Sequence, residues 1–94
     1  MKLNFEWDER KNAANQTKHG VSFEAASEVF RDPYHLEIYD SRHSLDEDRY
    51  VAVGKVGNIL FVVFTERSDS VRIISARPAT PLERRWYYDS NPYD

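Results

Sequence analysis

The chain has 94 residues, 40% of them hydrophobic and 14% aromatic, which suffices for one small core and is too apolar for a disordered segment. Its formal charge of −3 argues against a dedicated nucleic-acid binder. It has no cysteine, which excludes disulfides, thiolate catalysis and thiolate metal sites and leaves a cytoplasmic location as the expectation.

Leu3, Phe5 and Trp7 alternate with Asn4 and Glu6, the pattern of a short strand with one apolar face. That charged opening does not resemble a leader, and no run approaches the roughly 18 apolar residues of a membrane span. Asp8 is placed to cap a polar helix through Lys11, Ala13, Ala14 and Gln16, with Gly20 as its stop. So few apolar residues predict a helix lying on the surface. Ser22 caps a second helix, in which Phe23, Ala26, Val29 and Phe30 repeat at helical spacing until Asp32-Pro33.

The rest reads mostly as sheet. Leu36 and Ile38 belong to a short strand, and a polar connection runs from Asp40 to Asp48. Arg49–Val56 is the next strand, and Gly57-Asn58 is its hairpin turn. Ile59–Thr65, apolar on both faces, predicts a central strand covered on both sides. Arg67–Ser70 is a turn. Val71–Arg77 follows, with alternation placing Val71, Ile73 and Ser75 opposite Arg72, Ile74 and Ala76. Thr80-Pro81-Leu82-Glu83 combines a capping hydroxyl, proline and a carboxylate in the pattern that opens a helix, here running to about Asp89 and stopped by Asn91-Pro92. Trp7, Phe61, Phe64 and Trp86 are the expected core aromatics. The order is β-α-α-β-β-β-β-α, an α+β domain with a mainly antiparallel sheet, and residues 1–94 are read as a single domain.

Charge is divided along the chain. From Asp32 to Asp48 six acids accompany Arg42 alone, whereas Arg67 to Arg85 holds five arginines against Asp69 and Glu83. Such a division serves either intramolecular charge pairing or an arginine-lined face that grips an anion.

His19, His35 and His43 lack tight ligand spacing, and the pairs Glu24/Glu28 and Asp46/Asp48 are ordinary on solvated surfaces, so no metal is expected. Three glycines do not build a phosphate loop, and no cofactor is expected. What remains suits metal-free phosphodiester chemistry. Cleaving RNA with its own 2′-hydroxyl needs a base, a donor for the leaving oxygen and cations on the phosphate. His19, His43 and Glu47 can move protons, Arg49, Arg67, Arg72 and Arg77 can hold phosphate, and Tyr87 and Tyr88 can stack on a base. Each also has a plain alternative: a helix end for His19, a surface loop for His43, a partner for Arg49 in Glu47.

Several blocks, in order, resemble the BrnT family of type II toxins over nearly the whole chain. They are Phe5-Glu6-Trp7-Asp8 with Lys11, Lys18-His19-Gly20-Val21-Ser22-Phe23-Glu24, Asp40-Ser41-Arg42-His43-Ser44 with Glu47 and Arg49, Thr65-Glu66-Arg67, Val71–Arg77, and Glu83-Arg84-Arg85 with Tyr88. The resemblance implies a RelE-like fold and a bacterial endoribonuclease that cleaves RNA, inhibits translation and uses no metal. It implies a partner, a ribbon-helix-helix antitoxin, in an assembly of two toxins and two antitoxins that contacts DNA only through the antitoxin. Carried onto this chain, it points to His43, Glu47, Arg67 and Arg77 as catalytic, with His43 or Glu47 moving the proton. Lys18, His19, Arg49, Arg72 and Tyr88 become RNA contacts.

Where the family is usually more basic, this chain reads Pro78-Ala79-Thr80-Pro81-Leu82, and Trp86–Asp94 is aromatic and acidic. Affinity for free RNA should therefore be lower, and ribosome-held RNA becomes a candidate substrate. The alternative is an attenuated or inactive partner protein that binds its antitoxin and modulates DNA binding.

Overall fold

The computed structural model describes residues 3–91. Strand β1 (Phe5–Glu6) leads into helices α1 (Glu9–His19) and α2 (Phe23–Ser27). Strands β2 (Leu36–Tyr39), β3 (Tyr50–Val56), β4 (Asn58–Arg67) and β5 (Ser70–Pro78) follow, and helix α3 (Pro81–Asp89) comes last. This is the expected element order. Pro92 and the acidic end at Asp94 lie outside the described residues.

Local chemistry sets the helix ends as the sequence predicts. Asp8 accepts from the amides of Arg10 and Lys11, and Ser22 accepts from that of Ala25. Gly20 closes α1 at φ +72°, a left-handed conformation that suits glycine. Thr80 and Glu83 form a reciprocal capping box with Pro81 in the first turn of α3. The second helix departs from expectation, because after Ser27 it tightens into a 3-10 turn over Glu28–Arg31.

The sheet order is β1-β5-β4-β3-β2, which puts the apolar strand β4 at the centre. Strands β2 to β5 form an antiparallel meander, and β1 adds a parallel edge through Phe5–Val71 and Glu6–Arg72. Leu60, Val62 and Phe64 of β4 pack with Phe23, Ala26 and Val29 under the first two helices. Ile59, Phe61 and Val63 point the other way, toward Tyr87 of α3, with Val51 and Val53. The Tyr87 hydroxyl then donates to Asp32 at 2.6 Å, tying α3 to the end of the 3-10 turn.

The polar helix α1 is mostly exposed, but it is held by two buried asparagines rather than by an apolar stripe. Asn15 donates to the carbonyls of Val21 (2.8 Å) and Ala76 (2.7 Å) and accepts from the Ala76 amide at 3.2 Å. Asn12 accepts from the Phe23 amide at 2.8 Å.

Two expectations are corrected. Trp86 is 38% exposed and is not a core residue, because Tyr87 takes the inward position on α3. Phe64 is buried as expected, while Trp7 and Phe61 are half-buried at the core edges. Strict alternation along β5 also fails. The register shifts between Val63 and Phe64, which pair with Ser75 and Ile73, so Ile74 is an extra residue on β5. The bulge brings Arg72, opposite Thr65, and Arg77, opposite Phe61, onto the same face of the sheet. Arg67, two positions beyond Thr65, shares that face. The three arginines thus line the side that α3 only partly covers.

Candidate functional site

The connection after β2 is not featureless. A 3-10 turn over Ser41–His43 begins it, and Ser44 closes it like a clasp. The Ser44 hydroxyl donates to the Asp40 carbonyl at 2.6 Å and accepts from the Arg49 amide at 2.9 Å. The Asp40 amide donates to the Arg49 carbonyl at 2.9 Å, so the two ends of the loop are joined. From the sheet, the Thr65 hydroxyl donates to the Asp48 carbonyl at 2.6 Å. Thr65 is only 2% exposed.

So held, the loop forms a cavity of about 360 Å³ lined by Arg42, His43, Leu45, Asp46, Glu47 and Arg49. Glu47 meets Arg67 at 3.4 Å. His43 Nδ1 lies 2.8 Å from the Asp40 carboxylate. An ionised carboxylate only accepts, so Nδ1 carries the proton and Nε2 is the nitrogen left for other chemistry. Burial works against ionisation of Asp40, but the hydrogen bond from His43 and the backbone amides of Arg42 and His43 hold its carboxyl below the usual value.

Arg72, opposite Thr65, donates to Glu6 of β1 at 2.8 Å. The bond from Ser70, with those of Arg72 and the charge of Arg67, holds Glu6 below the ordinary glutamate range against a modest burial penalty. Glu47, Arg67, Glu6 and Arg72 therefore form one run of alternating charge at this end of the sheet. Arg77 stands four strand positions away, about 13 Å at strand rise. It bonds Glu83 through both terminal nitrogens, at 2.8 and 2.9 Å, and lies 4.0 Å from the centroid of the Phe61 ring. The Glu83 bonds raise the Arg77 pKa against burial. A phosphate at Arg72 or Arg77 would first have to displace a carboxylate.

The predicted residues therefore fall into separate places. His43, Glu47, Arg49 and Arg67 come together, with Arg72 beside them. Lys18 and His19 end α1, which packs on the other face of the sheet. Tyr88 lines a different cavity, with Gly57, Pro78 and Arg84, at the opposite end of β4. Among the described residues no three histidine, cysteine, aspartate or glutamate side chains gather as a metal site. No helix among them is long and apolar enough to cross a membrane.

Sequence reasoning placed Asp40, Ser44, Thr65, Glu6 and Glu83 in the motif blocks but gave them no role in the site, where they are the partners that hold the predicted groups. For Thr65 a signal exists: it is the one hydroxyl in the run Ile59–Thr65.

A family model described as the ribonuclease toxin BrnT of type II toxin–antitoxin systems matches residues 7–83. The crystal structure of the ribonuclease toxin BrnT of Brucella abortus has a similar fold, with a TM-score of 0.66 and 25% identity, covering 84% of this chain and 99% of that one. No curated protein sequence matches.

Proposed function

The chain belongs to the BrnT family of ribonuclease toxins of type II toxin–antitoxin systems, and from that premise we propose that its reaction takes place in the His43–Arg49 cavity on the arginine face. It is an endoribonuclease, and an antitoxin is its partner. In the proposed reaction the 2′-hydroxyl of RNA attacks the adjacent phosphorus. Glu47 takes the hydroxyl proton, the bond from phosphorus to the 5′-oxygen breaks, and His43, entering as the imidazolium with its Nδ1–H on Asp40, gives that oxygen its Nε2 proton. The products are a 2′,3′-cyclic phosphate and a 5′-hydroxyl end. Arg49 and Arg67 face the charge that grows on the phosphate, and Arg72 adds a further cation once the RNA backbone displaces Glu6 from it. No step calls for a metal.

One observation carries this reading. Through the Thr65–Asp48 bond the loop carrying His43 and Glu47 docks onto the face that presents Arg67 and Arg72. Arg77, gripped by Glu83 and Phe61, serves the site by holding α3 in place. Lys18, His19 and Tyr88 lie apart from the cavity and would touch RNA only beyond the scissile phosphate.

The antitoxin we assign is a ribbon-helix-helix protein in a complex of two toxins and two antitoxins. The formal charge of −3 supports leaving DNA contact to that partner. RNA held on the ribosome is a candidate substrate alongside free RNA, because a formal charge of −3 gives the chain little long-range attraction for free RNA.

The test is induction of the toxin alone in a bacterial host, with mapping of RNA ends before growth slows. Wild type should yield 2′,3′-cyclic phosphate ends. His43→Ala and Glu47→Gln should each reduce them by about 10²–10⁴-fold. Undiminished cutting by both variants overturns the assignment.

A further inference from the structure

The proposed catalytic groups sit on a loop, and most of the bonds that shape it are its own. Ser44 joins its ends, Asp40 and Arg49, where β2 and β3 leave the sheet, and farther along the loop only the exposed Tyr39 hydroxyl reaches the Asp48 carboxylate, at 3.0 Å. The Glu47–Arg67 pair is exposed on both sides, 41% and 46%, and such pairs hold position weakly. Thr65 is different. It belongs to the central strand, its neighbours Val63 and Phe64 are packed in the two cores, and its hydroxyl is out of water. Its acceptor is the carbonyl of Asp48, between Glu47 and Arg49.

From this geometry we infer that Thr65 is a positioning residue for RNA cleavage, setting the height of Glu47 and Arg49 over the arginine face. The inference rests on the site proposed above. The hydroxyl touches no substrate. It acts through the Asp48 carbonyl, and its strand register opposite Arg72 aligns the loop with the phosphate track. A valine in its place keeps the shape and the strand propensity but turns an apolar methyl toward that carbonyl, which then has to leave the sheet to find water. Misplacing a reacting group by about 1 Å can cost a hundredfold in rate.

The experiment compares purified full-length wild type with Thr65→Val, Thr65→Ala and Thr65→Ser on a defined RNA, measuring kcat and KM separately. Thr65→Val and Thr65→Ala should lower kcat about 10–100-fold with KM within about twofold, because the phosphate-binding face stays in place. Thr65→Ser keeps the hydroxyl and should restore kcat to within about threefold of wild type. Phe64→Leu, next in the strand and turned into the opposite core, serves as the stability control and should leave kcat unchanged. Amide exchange should rise at residues 47–49 in the valine and alanine variants and not in the serine variant. If Thr65→Val does not fold, the alanine and serine pair decides.

Wild-type kcat in a folded valine or alanine variant overturns the inference, as does a serine variant as poor as alanine. Glu47→Gln and Arg49→Ala are run alongside. Losses there with an active Thr65→Val refute only the Thr65 role, whereas full activity in both refutes the site and the inference together.

Discussion

Replacing Tyr87 by Phe removes one oxygen at the junction of α3 with the rest of the protein. Tyr87 is 3% exposed, and its hydroxyl donates to Asp32 at 2.6 Å. A hydrogen bond to a charged group is worth about 1.5–3 kcal/mol. Asp32 keeps two other donors, the amides of Tyr34 at 3.0 Å and Lys55 at 2.8 Å. It is also only half-buried, so water replaces part of what is lost. These facts favour the lower end, about 1.5–2 kcal/mol. For a domain of this size that lowers Tm by about 6–16 °C.

The pH dependence has a defined sign on each side. Burial, with the Asp32 bond and charge, pushes the Tyr87 phenol above its ordinary pKa. An unfolded tyrosine ionises near pH 10 while the native one stays protonated, so wild type loses stability as pH rises past about 10. Phenylalanine does not titrate, and the gap between the two proteins should narrow there. On the acid side, burial opposes ionisation of Asp32, but the bonds from Tyr87, Tyr34 and Lys55 win and hold its carboxyl below the ordinary aspartate value. Its contribution is complete above about pH 4 and is lost as pH falls through the lower native pKa, so acid narrows the gap as well. Thermal melts followed by circular dichroism from acid to about pH 11 test this. A variant that melts with wild type at neutral pH, or a gap that stays constant across the range, refutes the reasoning.

Two further changes probe other parts of the structure. At Gly54→Ala the new Cβ would lie 2.7 Å from Val29 Cγ1 and 2.9 Å from His35 Cβ, where β3 passes under the 3-10 turn. Urea unfolding should show a loss of about 1–3 kcal/mol from overpacking, and wild-type stability would mean that the turn yields freely. Glu83→Gln removes the charge and one of the two acceptor oxygens that bind Arg77, while the remaining oxygen still accepts from the Thr80 amide, and should cost about 1.5–3 kcal/mol at neutral pH. Burial resists ionisation of Glu83, yet the bonds from Arg77 and Thr80 hold its carboxyl below the usual range, so this contribution is lost as pH falls. The glutamine variant should therefore lose less stability than wild type between pH 7 and about 3 in denaturant titrations.

Much of this protein is written locally. Asp8, Gly20, Ser22 and the Thr80–Glu83 capping box set helix ends through bonds that span at most four residues, so they are legible without a fold. The two-faced run Ile59–Thr65 identifies the central strand because only a strand covered on both sides can bury alternate residues in opposite directions. Ordered motif blocks were enough to recognise the family.

Tertiary structure decided what those residues do to one another. Arg72 and Arg77 are an odd number of positions apart, and only the bulge at Ile74, a product of pairing with β4, puts them on one face. Which carboxylate holds each arginine depends on strand order and helix docking: Glu6 reaches Arg72 across 66 positions, and Asp32 reaches Tyr87 across 55. Trp86 and Tyr87 are adjacent aromatics with the same local signal, and the docking angle of α3 alone sends one into water and the other into the core. The loop bearing His43 and Glu47 reads in sequence as polar connection, because its place over the arginine face comes from a threonine 17 positions away, through a bond that exists only once the sheet has formed.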